Sequence, residues 1–470
     1  MGKKKEKSQK SITPKKVVVK MKEGLAVEHP FAAGIDIGDT EIAVAIRGKD
    51  GYEVSTFGTF SEDLDSIVSY LKKNDITTAA MESTGVYYVP LYIKLQEAAI
   101  EPYLVNARHA KNVTGRKQDD TDAIWLQKLH TCGLLQKSFQ PDAEGRVFRD
   151  YVRHRKNLVT ISSDSVRRMQ KALELMNVKI HTVISDILGK TGIAMIEAIL
   201  NGQHDPVELS KFKDPRIKAS DEIIIKSLKG IWREEHLFAL RQAYETYQFH
   251  QKQIEVCDER IRLQLDKQTA IINDGEIYCE NNECLSLEKS KDEKKKKSKK
   301  KAKKNQYKFD VKSYLVKLLG VDLCAIPGIS EITVMELIAE TGINMREWKS
   351  AKQFCSWLNV CPNTKVSGGK VLSSKTMKKK NHAGQCLRMA AVTVAKTKTP
   401  LGDYYRRMRA KQGGKGAALA TANKLARIIY TMIKEKKEYD LSLYEKAQEN
   451  FKAKQIKFYQ KKILELSRVA

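Results

Sequence analysis

Three short apolar runs follow one another with no room for a helix between them: AAGIDIG at 32–38, TEIAVAIRG at 40–48 and YEVSTFGTF at 52–60. Their alternation and β-branched content predict three consecutive, mostly antiparallel strands. The period then changes. SEDLDSIVSYLKK (61–73) reads as a helix with Ser61 as N-cap, TTAAMES as a buried strand and PYLVN as another strand. Between them, the stretch after Gly85 reads as a helix with Pro90 near its first turn. Residues 108–115 and 119–135 predict two further helices. The order β-β-β-α-β-α-β-α constrains residues 31–142 to an α/β unit on a mixed sheet.

The rest of the 470-residue chain differs in character. Residues 1–30 read as a flexible basic arm. Residues 143–266 read as an extended helical arm. Within it EEHLFALRQAYETYQFHQKQIEVCDERIRLQL carries apolar residues every three or four positions, a pattern suited to a coiled coil. Residues 267–311 are a Lys-rich, low-complexity insertion, expected to be disordered. Residues 312–470 predict a compact, mainly helical domain.

Charge narrows the partners. The chain holds 85 Lys+Arg against 57 Asp+Glu, a net of +28. Residues 1–22 and 291–304 contribute +8 each, and residues 346–415 contribute +15. The last stretch interleaves its cations with Trp348, Phe354, Trp357, Tyr404 and Tyr405. Cations among aromatics suit a polyanion with both phosphates and stackable bases, which favours nucleic acid over a lipid surface. No apolar run approaches the ~18 residues of a membrane span, and no apolar stretch follows MGKKKEKSQK to make a secretory signal. The eight cysteines include no C-x-x-C pair. Free thiols in a reducing cytoplasm are therefore expected, rather than a zinc site or a disulfide framework. The expected location is cytoplasmic, on chromosomal DNA.

Acidic residues recur where chemistry would need them. Asp36 lies between glycines at the end of the first strand, and Glu82 ends the MES strand, at the usual mouth of an α/β site. In QDDTDAIWL, Asp119 and Asp122 are three apart, a spacing that shares one helical face, and Asp120 lies between them as another candidate third acid. Four such carboxylates can hold two Mg²⁺ or Mn²⁺ ions about 3.5–4 Å apart, since oxygen ligands suit hard cations that also bind phosphate oxygens. GIDIG also occurs in the actin, sugar-kinase and chaperone ATPase fold, but the second glycine-rich D-x-G loop of that fold is not found here.

In the second half, AIPGIS (325–330) opens a helix over 331–341, as in the turn of a helix-hairpin-helix, and Gly328 would let the backbone reach a DNA phosphate. A plain tight turn between helices reads equally well there. In CPNTKVSGGKVLSSK, Ser367 precedes Gly368 and Gly369 and is flanked by Lys365 and Lys370. Glycines permit close approach to a phosphate, and cations would stabilise a pentacovalent phosphorus. On chemistry alone Ser367 reads first as a phosphate contact, with Ser373 and Ser374 equally available. Lys375, Lys378, Lys379, Lys380 and Arg388 extend the basic, nucleic-acid-binding candidates.

Taken in order, Asp36 in GIDIG, Glu82 in ESTG, D-x-x-D-A at 119–123, AIPGIS, SGGK at 367–370 and GQCLRMAAV resemble the DEDD transposases of the IS-one-ten insertion-sequence family. The resemblance covers about 32–142 and 310–432. It implies a RuvC-like, RNase H-like N-terminal domain, a helical coiled-coil arm and a helical C-terminal transposase domain. It further implies a homo-oligomeric (dimeric or tetrameric) recombinase. Such an enzyme is guided by a structured non-coding RNA of the element, which pairs with donor and target DNA. Mg²⁺ on the acidic tetrad would polarise the phosphate, and the two domains of a composite site could come from different subunits. On this resemblance Ser367 becomes the nucleophile of a covalent phosphoserine intermediate. The Lys-rich insertion and the long basic N-terminal arm depart from the family pattern. The competing readings are a RuvC-like junction nuclease using metal-activated water and a non-catalytic nucleic-acid binder.

Overall fold

β-Branched runs build the first sheet. In the computed structural model the described residues are 17–19, 26–49, 51–83, 85–106, 121–274, 305–377 and 381–467. The chain divides into two units, Met1–Gln140 and Pro141–Ala470.

In the first unit, β1 (Val17–Val19), β2 (Ala32–Ile37), β3 (Ile42–Arg47), β4 (Tyr52–Phe57), β5 (Thr78–Glu82) and β6 (Glu101–Val105) form one sheet in the order β1-β4-β3-β2-β5-β6. The β2-β3-β4 meander is antiparallel, and β2, β5 and β6 run parallel, so the sheet is mixed as the sequence predicts. β1 falls within the segment read as a flexible arm. It pairs antiparallel with β4, placing Val17 opposite Val54, because three successive valines favour extended backbone.

Alternation divides β2 between two cores. Ala33, Ile35 and Ile37 pack with Leu64, Ile67 and Leu71 of α1 (Ser61–Lys73) and with Leu91, Tyr92 and Leu95 of α2 (Tyr88–Glu97). The cap of α1 is Phe60 rather than Ser61. Its N–H donates to the Asp63 carboxylate at 3.0 Å, so the acid at the third helical position does the capping in place of the serine hydroxyl. The opposite face is covered by α3 (Asp122–Thr131), whose Ala123, Ile124, Trp125, Leu126 and Leu129 are buried with Ala45, Tyr52, Ala80 and Val105. The helix expected over 108–115 lies outside the described residues.

Among the described residues the second unit is helical apart from one hairpin. α4 (Ala143–Leu175) and α9 (Glu234–Asp274) run antiparallel, as shown by Arg155 pairing with Asp258 and Ser162 with Gln251. Four shorter helices fill the link between them: α5 (Ile180–Val183), α6 (Lys190–Leu200), α7 (Pro206–Ser210) and α8 (Asp221–Ser227). They share a core with Met169, Leu173, Leu240 and Tyr244. α9 continues to Asp274, and Tyr307 is buried under the Arg155 guanidinium, 3.8 Å from its ring centroid. Both ends of the segment 267–311 are therefore folded, because helix propensity and a buried aromatic outweigh the Lys-rich composition there. Residues 275–304, with most of the lysine run, lie outside the described residues.

Further on come α10 (Val311–Leu319), a 3-10 turn at Leu323–Ala325, α11 (Glu331–Thr341) and α12 (Ala351–Trp357). The hairpin of β7 (Lys365–Ser367) and β8 (Lys370–Ser373) precedes α13 (His382–Val394), α14 (Pro400–Glu435) and α15 (Leu441–Ser467). Ion pairs Arg153–Glu340 and Lys156–Glu336 tie α4 to α11. Among the described residues no helix is long and apolar enough to cross a membrane.

Candidate functional site

The backbone of α3 touches the sheet at Gly34. A Cβ there would lie 2.2 Å from the Ala123 carbonyl oxygen and 2.3 Å from the Gln127 nitrogen, so only glycine permits this approach. Gln127 Nε2 donates to the Ala32 carbonyl at 3.1 Å. With Gln127 over Ala32 and Gly34, and Ala123 over Gly34, α3 runs antiparallel to β2. Its N-terminus therefore points toward the C-terminal end of that strand.

This arrangement orients the acids. Asp36 lies two residues beyond Gly34, on the same face. Glu82 lies two residues beyond Ala80, which packs under α3, and four beyond Thr78, whose hydroxyl contacts His130 of α3 at 2.9 Å. Ile35 is in register with Met81. Asp36 and Glu82 therefore follow at the same level on parallel strands spaced about 4.8 Å apart. Asp122 is the first residue of α3, at the same end. All three are half-buried, and the exposed N–H groups at the start of α3 favour negative charge beside them.

One sequence expectation changes here. Thr121 is the N-cap of α3, with extended backbone (φ −65°, ψ 159°) and its hydroxyl accepting from the Ile124 N–H at 3.3 Å. The helix expected over 119–135 therefore starts at Asp122, where the threonine cap competes successfully with earlier helix continuation. Asp119 and Asp120 themselves lie outside the described residues. Among the described residues, no group of three His, Cys, Asp or Glu side chains is drawn close enough to hold a metal ion by itself.

In the second unit the serine loop is a β-hairpin. Gly368 (φ 54°) and Gly369 (φ 75°) both have positive φ, which makes the two-residue turn that best matches strand twist. A Cβ on either would meet nothing within 4 Å. Ser367 is the cross-strand partner of Lys370, and Lys365 of Ser373, with a register shift after Lys365. Ser367, Lys370 and Lys365 share one face and Val366 and Val371 the other, and all five are exposed. Lys375 is exposed as well. Lys378, Lys379 and Lys380 lie outside the described residues.

The base of the hairpin is held by three asparagines that sequence reading passed over. Asn359, in left-handed conformation at φ 56°, donates to the Met377 carbonyl at 2.9 Å. Asn381 caps α13 and donates to the Trp357 carbonyl, and Asn423 of α14 donates to the Val360 carbonyl at 3.3 Å. Arg388 donates to the Asn359 carbonyl at 2.6 Å, so its guanidinium is engaged with the backbone under the hairpin. Burial holds its pKa below the ordinary guanidinium value. Only the Asn spacing beside turns hinted at such anchors.

Gly328 (φ 84°) faces α13, where a Cβ would lie 2.3 Å from Val394 Cγ2. The glycine is thus required by helix packing. Ser330 caps α11 through the Thr333 N–H.

Two family models match the chain. One, named for DEDD transposases of IS110 and described as a transposase, matches residues 33–178. The other, described as the transposase IS116/IS110/IS902 family, matches residues 322–406. No curated protein matches. The first match takes in all three described acids and the second takes in the serine hairpin. With both on a mixed sheet compatible with an RNase H-like domain and a mainly helical second unit, the chain belongs to the IS110 family of transposases.

Proposed function

We propose that this transposase is an RNA-guided, Mg²⁺-dependent DNA recombinase that moves its own element by serine attack on a DNA phosphate. The observation that carries the reading is the delivery of Asp36, Glu82 and Asp122 to one end of one sheet face. Their donors are all carboxylate oxygens, a set that fits Mg²⁺ or Mn²⁺ and not a softer ion. The three described acids do not form a metal-holding cluster by themselves, and Asp119 is the expected fourth acid. A bound ion supplies Lewis-acid polarisation of the phosphoryl oxygen.

The chain's own residues do the rest. Ser367 presents its hydroxyl at an open turn, and Lys370, directly across the ladder, offsets charge building on the phosphate oxygens. A bond forms between Ser367 Oγ and phosphorus as the bond from phosphorus to a deoxyribose oxygen breaks. The serine proton leaves and the deoxyribose oxygen gains one. The reverse attack by another strand's hydroxyl restores the serine and joins the strands, so no bond energy is lost to water. The antiparallel α4–α9 pair, with buried residues at three- and four-residue spacing, is read as a coiled-coil arm. Guidance by a structured RNA and assembly as a dimer or tetramer belong to the same reading, through the family resemblance.

The test is Ser367→Ala with element-end DNA. The wild-type chain forms a protein–DNA adduct that survives denaturant, and the variant forms none. Full strand exchange by the variant would remove the serine mechanism and favour a metal-activated water, as in a junction nuclease.

A further inference from the structure

The basic stretch 346–415 holds five aromatic residues, and the structure separates them. Trp348, Phe354 and Tyr405 are buried, and Trp348 meets Phe354 edge-on and Trp357 at a tilt. These are core. Tyr404 is half-exposed on α14 and has cations on its ring. Lys424 Nζ lies 4.6 Å from the ring centroid, and the Arg407 guanidinium lies 5.6 Å from it. The same guanidinium lies 4.0 Å from the ring of Phe451 on α15.

Stacking uses the face of a guanidinium and leaves its N–H donors pointing outward from the edge. Among the described residues Arg407 makes no hydrogen bond and no ion pair. Its neighbours differ: Arg406 binds Asp403 and two carbonyls, and Arg427 donates to Asn423. Lys424 is held beside Arg407, and burial together with that like charge pushes its ammonium below the ordinary lysine value. Two cations gathered on one aromatic ring, one of them with no guanidinium donor engaged among the described residues, are stabilised by an anion that bridges them.

We propose that Arg407 and Lys424 bind one phosphodiester group of a nucleic-acid strand, with Tyr404 as the positioning residue that holds the two cations side by side. The inference rests on the nucleic-acid reading of the protein and deepens it by naming a backbone contact away from the serine hairpin. A phosphate contact positions a strand without reading its sequence.

The experiment uses the full chain and two labelled probes, a DNA duplex and a single-stranded RNA, each in two unrelated sequences, titrated between 50 and 200 mM salt. Arg407→Gln/Lys424→Gln is expected to weaken binding about tenfold or more. It should also flatten the slope of log affinity against log salt by about one, equally for both sequences. Tyr404→Leu should reproduce part of the loss and Tyr404→Phe should restore it. Loss on one probe only assigns the contact to that nucleic acid. Wild-type affinity and slope in the double variant, with its melting unchanged, would overturn the proposal. If the double variant fails to fold, Lys424→Gln alone carries the test with the same outcomes. A flat salt response in the wild-type chain would instead overturn the nucleic-acid reading itself.

Discussion

Asp36 and His130 lie near the same helix and do opposite things. Asp36 is a half-buried carboxylate at the end of β2. Asp36→Asn should reduce strand exchange by at least about a hundredfold, more than the usual cost of disturbing a residue behind a metal ligand. Activity persisting in Asp36→Asn, or in excess chelator, would contradict the metal reading. His130, buried in α3 and stacked on His29 at 4.7 Å, is held neutral. Burial, and then the neighbouring His29, lower its pKa from 6.5 to about 4. The unfolded chain takes up this proton near the ordinary value while the folded ring does not. The contribution to stability is therefore fully present above the unfolded pKa and is lost as pH falls toward 4. Thermal melts between pH 7 and 4.5 should show that decline, and His130→Asn should flatten it.

At the scale of elements, the α4–α9 pair depends on one charged junction. Arg155 and Asp258 are both almost fully buried, and Arg155 also donates to the Asn305 carbonyl at 3.2 Å. Asp258→Ala leaves a guanidinium without its partner and should cost about 3–5 kcal/mol in denaturant unfolding, whereas Arg155→Met with Asp258→Leu should cost much less. An equal loss in both variants would show that the helix pair needs the charges themselves. This junction was not legible in the sequence, since a polar residue at a helical spacing reads as solvent-facing until its partner 103 residues away is known. The sheet was legible because β2, β3 and β4 follow one another along the chain, and local alternation fixes which side chains share a face. Asp36 and Glu82 could be placed for that reason. The start of α3 at Asp122 could not: D-x-x-D satisfies a longer helix equally well, and only the extended Thr121 cap fixes the first residue. Gly328 was legible as a turn glycine opening a helix but not as one pressed on Val394, because packing partners are set by distant segments.

On the scale of the molecule, the positive surplus is divided between segments outside the described residues and a folded half built of helices. A strand near the N-terminus stands apart from that division. β1 covers one margin of the sheet, and at the other margin Val105 bridges to Lys137. Trimming the Lys-rich leader back to residue 26 for convenience of expression would strip Val17–Val19 from β4 and leave a row of vacant amides and carbonyls. Light scattering at equal concentration should then rise with time for the shortened chain and stay level for the full one. What reads as a dispensable charged tail would thus act as a stopper against chain-to-chain polymerisation.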